Sequence, residues 1–136
     1  MLPDKLALDI VTAERRVLTA EVDEVVLPGS VGYLGVRPGH TPLITGLGTG
    51  TLTWWKGGQA HQVAVALGYA EILPDRVAVL AETAESAAEI DADRATSSKA
   101  RAAQRLSNIG DAGTEPDRAR RALARAENRL KLVPPR

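Results

Sequence analysis

A chain of 136 residues that is 44% hydrophobic, with no Phe, two Trp and two Tyr, has room for one domain or a small domain with an appendage, and its core must be built from Val, Leu, Ile and Ala. The lack of Cys excludes a disulfide framework and a thiolate metal site, and two isolated histidines, His40 and His61, leave little for a metal cage. The net charge is zero, yet residues 1–87 hold 6 basic and 10 acidic side chains and residues 88–136 hold 11 and 7, so two parts of opposite charge with different jobs are expected.

The start, MLPDKLALD, has neither the basic onset nor the apolar run of a secretory signal. No segment reaches the roughly 20 apolar residues that span a bilayer, so a soluble chain is expected. Leu6, Leu8 and Ile10 alternate with Ala7 and Asp9, placing the larger side chains on one face of a strand. Val17 and Leu18 begin a second strand, and Glu21 to Leu27 make a third that ends at Pro28. The next stretch, GSVGYLGVRPGHTPL from Gly29 to Leu43, holds four glycines and two prolines, which a helix does not accommodate. It reads as a chain of tight turns that sets Tyr33 and His40 at its bends, a contact face rather than core.

Gly50 to Lys56 then forms a strand that Gly57 and Gly58 turn back into Gln59 to Leu67. Ala70 to Leu73 and Arg76 to Ala81 pair around Pro74 and Asp75. Adjacent Trp54 and Trp55 point to opposite faces, Trp54 with Leu52 toward the core and Trp55 toward an edge or a partner. These short strands predict an antiparallel β-sandwich.

Near Glu82 the pattern changes, because ten of the twelve glycines lie before it and alanine and arginine at helical spacing follow. The expected organisation is a β-sandwich over residues 1–84 and an antiparallel two-helix hairpin over 85–136. Ser86 with Glu89 fits a capping box, and Asp91 is a second candidate cap for a first helix running to about Ser107. SNIGDAG reads as a loop. Thr114, Pro116 and Asp117 start a second helix that continues to about Leu132 and stops before Pro134 and Pro135.

Ala92, Ala95, Ala102, Ala103, Leu106 and Ile109 form one apolar stripe, and Ala119, Ala122, Leu123, Ala126 and Leu130 the other. Each methylene that alanine lacks forgoes about 0.8 kcal/mol of burial, so docked and opened states of the hairpin are expected to lie close in energy. Asp91, Arg94, Arg101 and Arg105 share a face of the first helix, and Arg118, Arg121, Arg125 and Arg129 a face of the second. Guanidinium forks bind phosphate or carboxylate, so these stripes suit a phosphate-bearing ligand or an acidic surface, while a solvated face is the plain alternative.

Two features read as decoys. GLGTG, Gly46 to Gly50, resembles part of a dinucleotide fingerprint, but a strand follows it, so it is taken as a loop. His40 lacks an acid or nucleophile partner and reads as a loop hydrogen bond or interface contact. No nucleophile arrangement, carboxylate pair or metal-ligand spacing stands out.

GSVGYLGVRPGHTPLITGL, ALGYAEILPDRVAVLAETAE and IDADRA, in this order along nearly the whole chain, resemble the epsilon-subunit family of the F-type ATP synthase. The resemblance implies a β-sandwich followed by a helical hairpin, in a non-catalytic rotor subunit. Such a subunit is held against the gamma subunit and the c-ring on the cytoplasmic face of the bacterial inner membrane, which it meets only through the complex. It couples proton flow to ATP synthesis and restrains hydrolysis.

By the same resemblance, the loop around Val31 and Tyr33 matches the c-ring contact, with Tyr33 where an acid is frequent, and His40 matches a histidine near gamma. Ile90, Asp91, Arg94 and Ala95 match an ATP-binding motif, I/L-D-x-x-R-A. Arg101, Arg125 and Arg129 fall where such members place further arginines, and Glu85 where they have an acid. ATP is thereby implied as a regulatory ligand rather than a required cofactor. Without ATP the helices would extend and the Arg118 and Arg121 side of the second helix would meet acidic segments of the alpha and beta subunits.

A stand-alone ATP-sensing module shares the same arginines and is the competing reading. A nucleic-acid-binding hairpin is disfavoured by the few aromatics and the acidic first half.

Overall fold

The computed structural model describes residues 3–108 and 115–133. The polypeptide divides into two compact units, Met1–Ser86 and Ala87–Arg136. The first unit is a single seven-stranded sheet with strands β1 (Leu6–Val11), β2 (Arg16–Val22), β3 (Glu24–Gly29), β4 (Gly32–Val36), β5 (Leu43–Lys56), β6 (Gln59–Leu73) and β7 (Arg76–Ser86), in the order β2-β1-β7-β6-β5-β3-β4. One core cluster joins Leu6, Leu8, Ile10 and Val22 from one end of that order to Val25, Leu27 and Val36 from the other. A flat sheet would hold these strands far apart, so the sheet is coiled into two layers, a β-sandwich.

Several strands depart from the sequence reading. The turn-rich stretch from Gly29 to Leu43 contains a strand, β4, because Gly29 to Val36 closes a two-residue hairpin at Ser30 and Val31 and pairs with β3. GLGTG is not a loop but part of β5, where small residues pass beside the broken β3 ladder. β1 and β7 are paired in parallel, so the sandwich is mixed rather than wholly antiparallel. The rest of the sheet serves as the long crossover that a parallel pair needs.

β6 is one strand rather than two. Its inward positions are Val63 and Val65 before Leu67 and Ala70 and Ile72 after it, so the buried face changes parity midway. The change falls at Leu67, φ 53°, and Gly68, φ 149°, both outside the β region. β5 and β7 change their buried parity in the same rows, from Leu47 to Leu52 and from Ala81 to Ala84. The alternation that marks a strand therefore breaks without the strand ending. Gly57 and Gly58, φ 59° and 81°, close the β5–β6 hairpin as expected.

The second unit begins with a short 3-10 turn, Ala87–Glu89, followed by α1 (Ala92–Ser107) and α2 (Pro116–Leu132). Asp91 is the N-cap of α1, in place of the Ser86 box, because β7 keeps Ser86 paired to Val63. α2 starts with Pro116 at its first position and Glu115 as the N-cap, while Thr114 and Ile109 lie outside the described residues. Ala95 and Ala102 in α1, and Ala119 and Ala126 in α2, are buried and each pair is seven residues apart. Two turns of helix separate them, so each helix shows one seam of small side chains, which permits the close end of the 8–10 Å range of helix spacing. Ala103, assigned by spacing to the stripe, is exposed.

Candidate functional site

The sheet unit carries two surfaces with exposed large apolar side chains. At the β3–β4 turn Val31 is 98% exposed and Tyr33 64%. The turn is tied down on both sides, with Ser30 N–H donating to Gly46 O at 2.9 Å and Thr51 N–H donating to the Tyr33 hydroxyl at 3.2 Å. The second bond forms where the β3–β5 ladder breaks, between the pairs Val26↔Thr53 and Gly29↔Leu47. His40 is half-buried, and its Nδ1 lies 2.7 Å from Thr41 O, the loop hydrogen bond foreseen for it. With a carbonyl as partner Nδ1 must donate, which leaves Nε2 as the acceptor of the neutral ring. His40 also lines a shallow depression with Glu24, Gly35, Arg37, Pro38 and Gly39.

The other surface was not singled out from the sequence. Ile44 (71%), Tyr69 (67%) and Leu80 (61%) are exposed large side chains on β5, β6 and β7. Tyr69 is opposite Leu80 in the β6–β7 register, and Ile44 is one pair along from Tyr69 through Glu71. An exposed apolar cluster across three strands marks an interaction face. The available signal was phase: these residues stand at the positions that alternate with Ala70, Ile72 and Val79, where polar side chains belong on a solvated face.

In the helical unit the IDADRA stretch builds one helix start. Asp91 Oδ1 accepts from Arg94 N–H at 3.0 Å with Asp91 in extended geometry, φ −91° and ψ 106°. Ile90, before the cap, and Ala95, four residues after it, are both buried, the two positions of a hydrophobic staple. Arg94 is exposed, and Arg101, ten residues past the cap or about 15 Å along the axis, is exposed and donates to Ser98 Oγ at 3.2 Å. On α2, Arg118 and Arg121 are exposed whereas Arg125 and Arg129 are half-buried. Glu85 is half-buried near the end of β7, in the sheet unit. Thus the structure brings Ile90, Asp91, Arg94 and Ala95 together at one helix end and sets the α2 arginines along a second helix. Spacing arguments overlooked Asn128, a buried polar side chain on α2 (7% exposed).

Among the described residues there is no group of three or more His, Cys, Asp or Glu able to hold a metal, and no helix long and apolar enough to cross a membrane. A coiled sheet with exposed apolar side chains, continued by an alanine-packed hairpin lined with arginine, defines a docking protein of two parts. The chain belongs to the ATP synthase delta/epsilon chain family: its beta-sandwich domain matches residues 5–87 and its long alpha-helix domain residues 88–133.

Within that family the curated relatives are epsilon chains, and this chain is a subunit of the ATP synthase of that type. It is 48% identical to the ATP synthase epsilon chain of Desulforamulus reducens over 93% of this chain and 95% of the relative. It is 44% identical to that of Solibacter usitatus over 95% and 96%. The fold is also that of a chain in the Euglena gracilis mitochondrial ATP synthase OSCP/F1/c-ring assembly, with TM-score 0.82, 21% identity, and coverage of 94% of this chain and 81% of that one.

Proposed function

We propose that this subunit is a non-catalytic part of the rotor. Its sheet unit docks on the gamma subunit and the c-ring at the cytoplasmic face of the bacterial inner membrane. Its hairpin reaches the alpha and beta subunits to restrain ATP hydrolysis. The observation that carries this reading is the contrast between the two units. Large burial and a continuous core fix the sheet, whereas α1 and α2 meet through alanines that bury little and leave Arg94, Arg101, Arg118 and Arg121 exposed. A part of low packing energy beside one of high packing energy suits a movable arm on a fixed base.

Val31 and Tyr33 face the ring in this reading. His40, with the Ile44, Tyr69 and Leu80 face, meets gamma. Arg118 and Arg121 meet acidic segments of the catalytic head, with charge complementarity guiding the approach. ATP is a regulatory ligand of the hairpin and no cofactor is required. Asp91 supplies an acceptor for the base or ribose, and Arg94, Arg101, Arg125 and Arg129 neutralise phosphate, with Ile90 and Ala95 holding the helix start in place.

The test is the ATPase and proton-pumping activity of the whole complex with residues 88–136 of this subunit deleted. The cut removes both helices, since removing α2 alone would strip the buried faces of Ala95 and Ala102. Hydrolysis is expected to rise with pumping preserved. Unchanged hydrolysis would remove the inhibitory role.

A further inference from the structure

Strand β3 cannot carry an unbroken ladder to β5, because Pro28 has no N–H to give to a rung. The β3–β5 register passes from Val26↔Thr53 to Gly29↔Leu47, so three steps along β3 face six along β5 and the longer strand bulges. Thr51 lies on that bulge, and its N–H donates to the Tyr33 hydroxyl at 3.2 Å. Tyr33 belongs to β4, on the far side of β3 from β5, and stands opposite Pro28 in the β3–β4 register. A side chain that starts on β4 and ends with its hydroxyl at β5 crosses β3 at Pro28.

Two further observations agree with that path. Pro28 alternates with the core residues Val25 and Leu27 and so belongs to the outer face, yet it is buried. Gly50 is buried as well, and a Cβ built there would stand 2.7 Å from the Tyr33 hydroxyl and 2.7 Å from Pro28 Cβ. The missing side chain at Gly50 is what lets the aromatic ring settle across the sheet, as aromatic residues do over glycine in other sheets.

We infer that Tyr33 is a latch within the sheet: its hydroxyl takes the place of the broken β3–β5 rung, and its ring clamps the β3–β4 turn across Pro28 onto Gly50. Together with the bond from Ser30 N–H to Gly46 O at 2.9 Å, it fastens the turn to β5 at two points. Tyr33 is thus a positioning residue for the turn that carries Val31. The device lies wholly in the sheet unit and holds whether or not another subunit covers the turn. It needs a phenol, since phenylalanine keeps the ring over Pro28 but has no acceptor for Thr51 N–H.

The test is amide hydrogen exchange, followed residue by residue by NMR on the full chain, in the wild type, Tyr33→Phe, Gly50→Ala and the double variant. Tyr33→Phe is expected to speed exchange at Thr51 by about two- to tenfold, the range of one neutral hydrogen bond, and to speed it at Ser30 in the same direction, with the amides of β1 and β7 unchanged. Exchange at Thr51 that changes by less than about twofold would overturn the latch. So would a change at Thr51 with none at Ser30, because the hydroxyl would then serve one amide and not the turn. Gly50→Ala forces the ring off its seat, so adding Tyr33→Phe to it should alter Thr51 exchange by less than about twofold. A full Tyr33→Phe effect in the Gly50→Ala background would overturn the path of the ring across Pro28. Tyr33→Phe adds no atom to the sheet, so its result decides alone if Gly50→Ala does not fold.

Discussion

Asp91 offers the sharpest prediction, because the structure gives its carboxylate a job that needs no ligand. Its Oδ1 caps α1 through Arg94 N–H at 3.0 Å. Replacing an N-cap acid by alanine costs about 1 kcal/mol, within a range of about 0.5–2. The negative charge adds roughly 0.3–1 kcal/mol at the positive end of the helix, a share that Asp93 in the first turn partly keeps. Asp91→Ala should therefore destabilise α1 by about 1–2 kcal/mol, or about one factor of ten in the opening equilibrium. Asp91→Asn keeps an oxygen acceptor in the same place and should lose only the charge share, a few tenths of a kcal/mol up to about 1. Amide hydrogen exchange along Ala92 to Arg101 separates the helix from the sheet and reads both values. An asparagine variant as open as the alanine variant would refute the cap and make the charge itself the essential feature.

Gly68→Ala places a Cβ 1.9 Å from Leu80 O at a φ of +149°, so neighbouring backbone must move and urea unfolding of the sheet unit should weaken by about 3 kcal/mol or more. A loss below about 1 kcal/mol would mean that the β6 bend relaxes freely. Ala102, 1% exposed, marks the hairpin seam. Ala102→Leu is expected to cost the hairpin about 1–3 kcal/mol by overpacking, read by exchange in α1 and α2 with no change in β-strand protection.

The pH dependence has a definite sign. The hydrogen bond from Lys5, then that from Gly57 N–H, holds the Asp23 carboxyl below its ordinary 3.8, and the same bond to Asp23 holds the Lys5 ammonium above 10.5. Their stabilisation is complete between those two values, is lost as acid protonates Asp23 through its depressed value, and is lost in base as Lys5 deprotonates above its raised one. The Tm gap between the wild type and Asp23→Asn should thus be widest in that window and close in stronger acid. A gap independent of pH would exclude the ion pair as its source.

Legibility followed how local each cause was. Alternation at Leu6, Leu8 and Ile10 and the Gly57–Gly58 turn depend on neighbours in sequence, and both elements lie where the pattern put them. The alanine and arginine periodicity likewise placed α1 to Ser107 and α2 to Leu132. What the pattern hid depends on distant partners. GLGTG looks like a loop because its residues are small, yet β6 supplies its ladder and makes it strand. β6 looks broken at Leu67 because the coil of the sheet turns its other face inward there, and no local signal records which face a coiled sheet will bury. The same cause hid the Ile44, Tyr69 and Leu80 face. Of the candidate site, the residues near Asp91 were legible because a cap and a staple are local, whereas Asn128 was not, since nothing in its helical spacing separates it from a solvated position.

The double meaning of IDADRA decides where a ligand should be sought. Ile90 as staple, Asp91 as cap and Ala95 as packed partner are what any helix starting here requires, and they would persist in a chain that binds nothing. Binding lost in Asp91→Ala would therefore mix a vanished ligand contact with a frayed helix. The arginines carry no such duty to the helix start. Arg125 is half-buried on α2, a placement that alanine substitution in a helix tolerates well. Calorimetric titration with ATP and ADP, comparing the wild type with Arg101→Ala and Arg125→Ala and using Asp91→Asn as the cap-preserving control, isolates the ligand from the fold. ATP affinity lowered more than about tenfold in both arginine variants, with exchange in α1 unchanged, is the expected result for charge-assisted phosphate contacts. Affinity indifferent to both arginines would assign the motif to helix initiation alone.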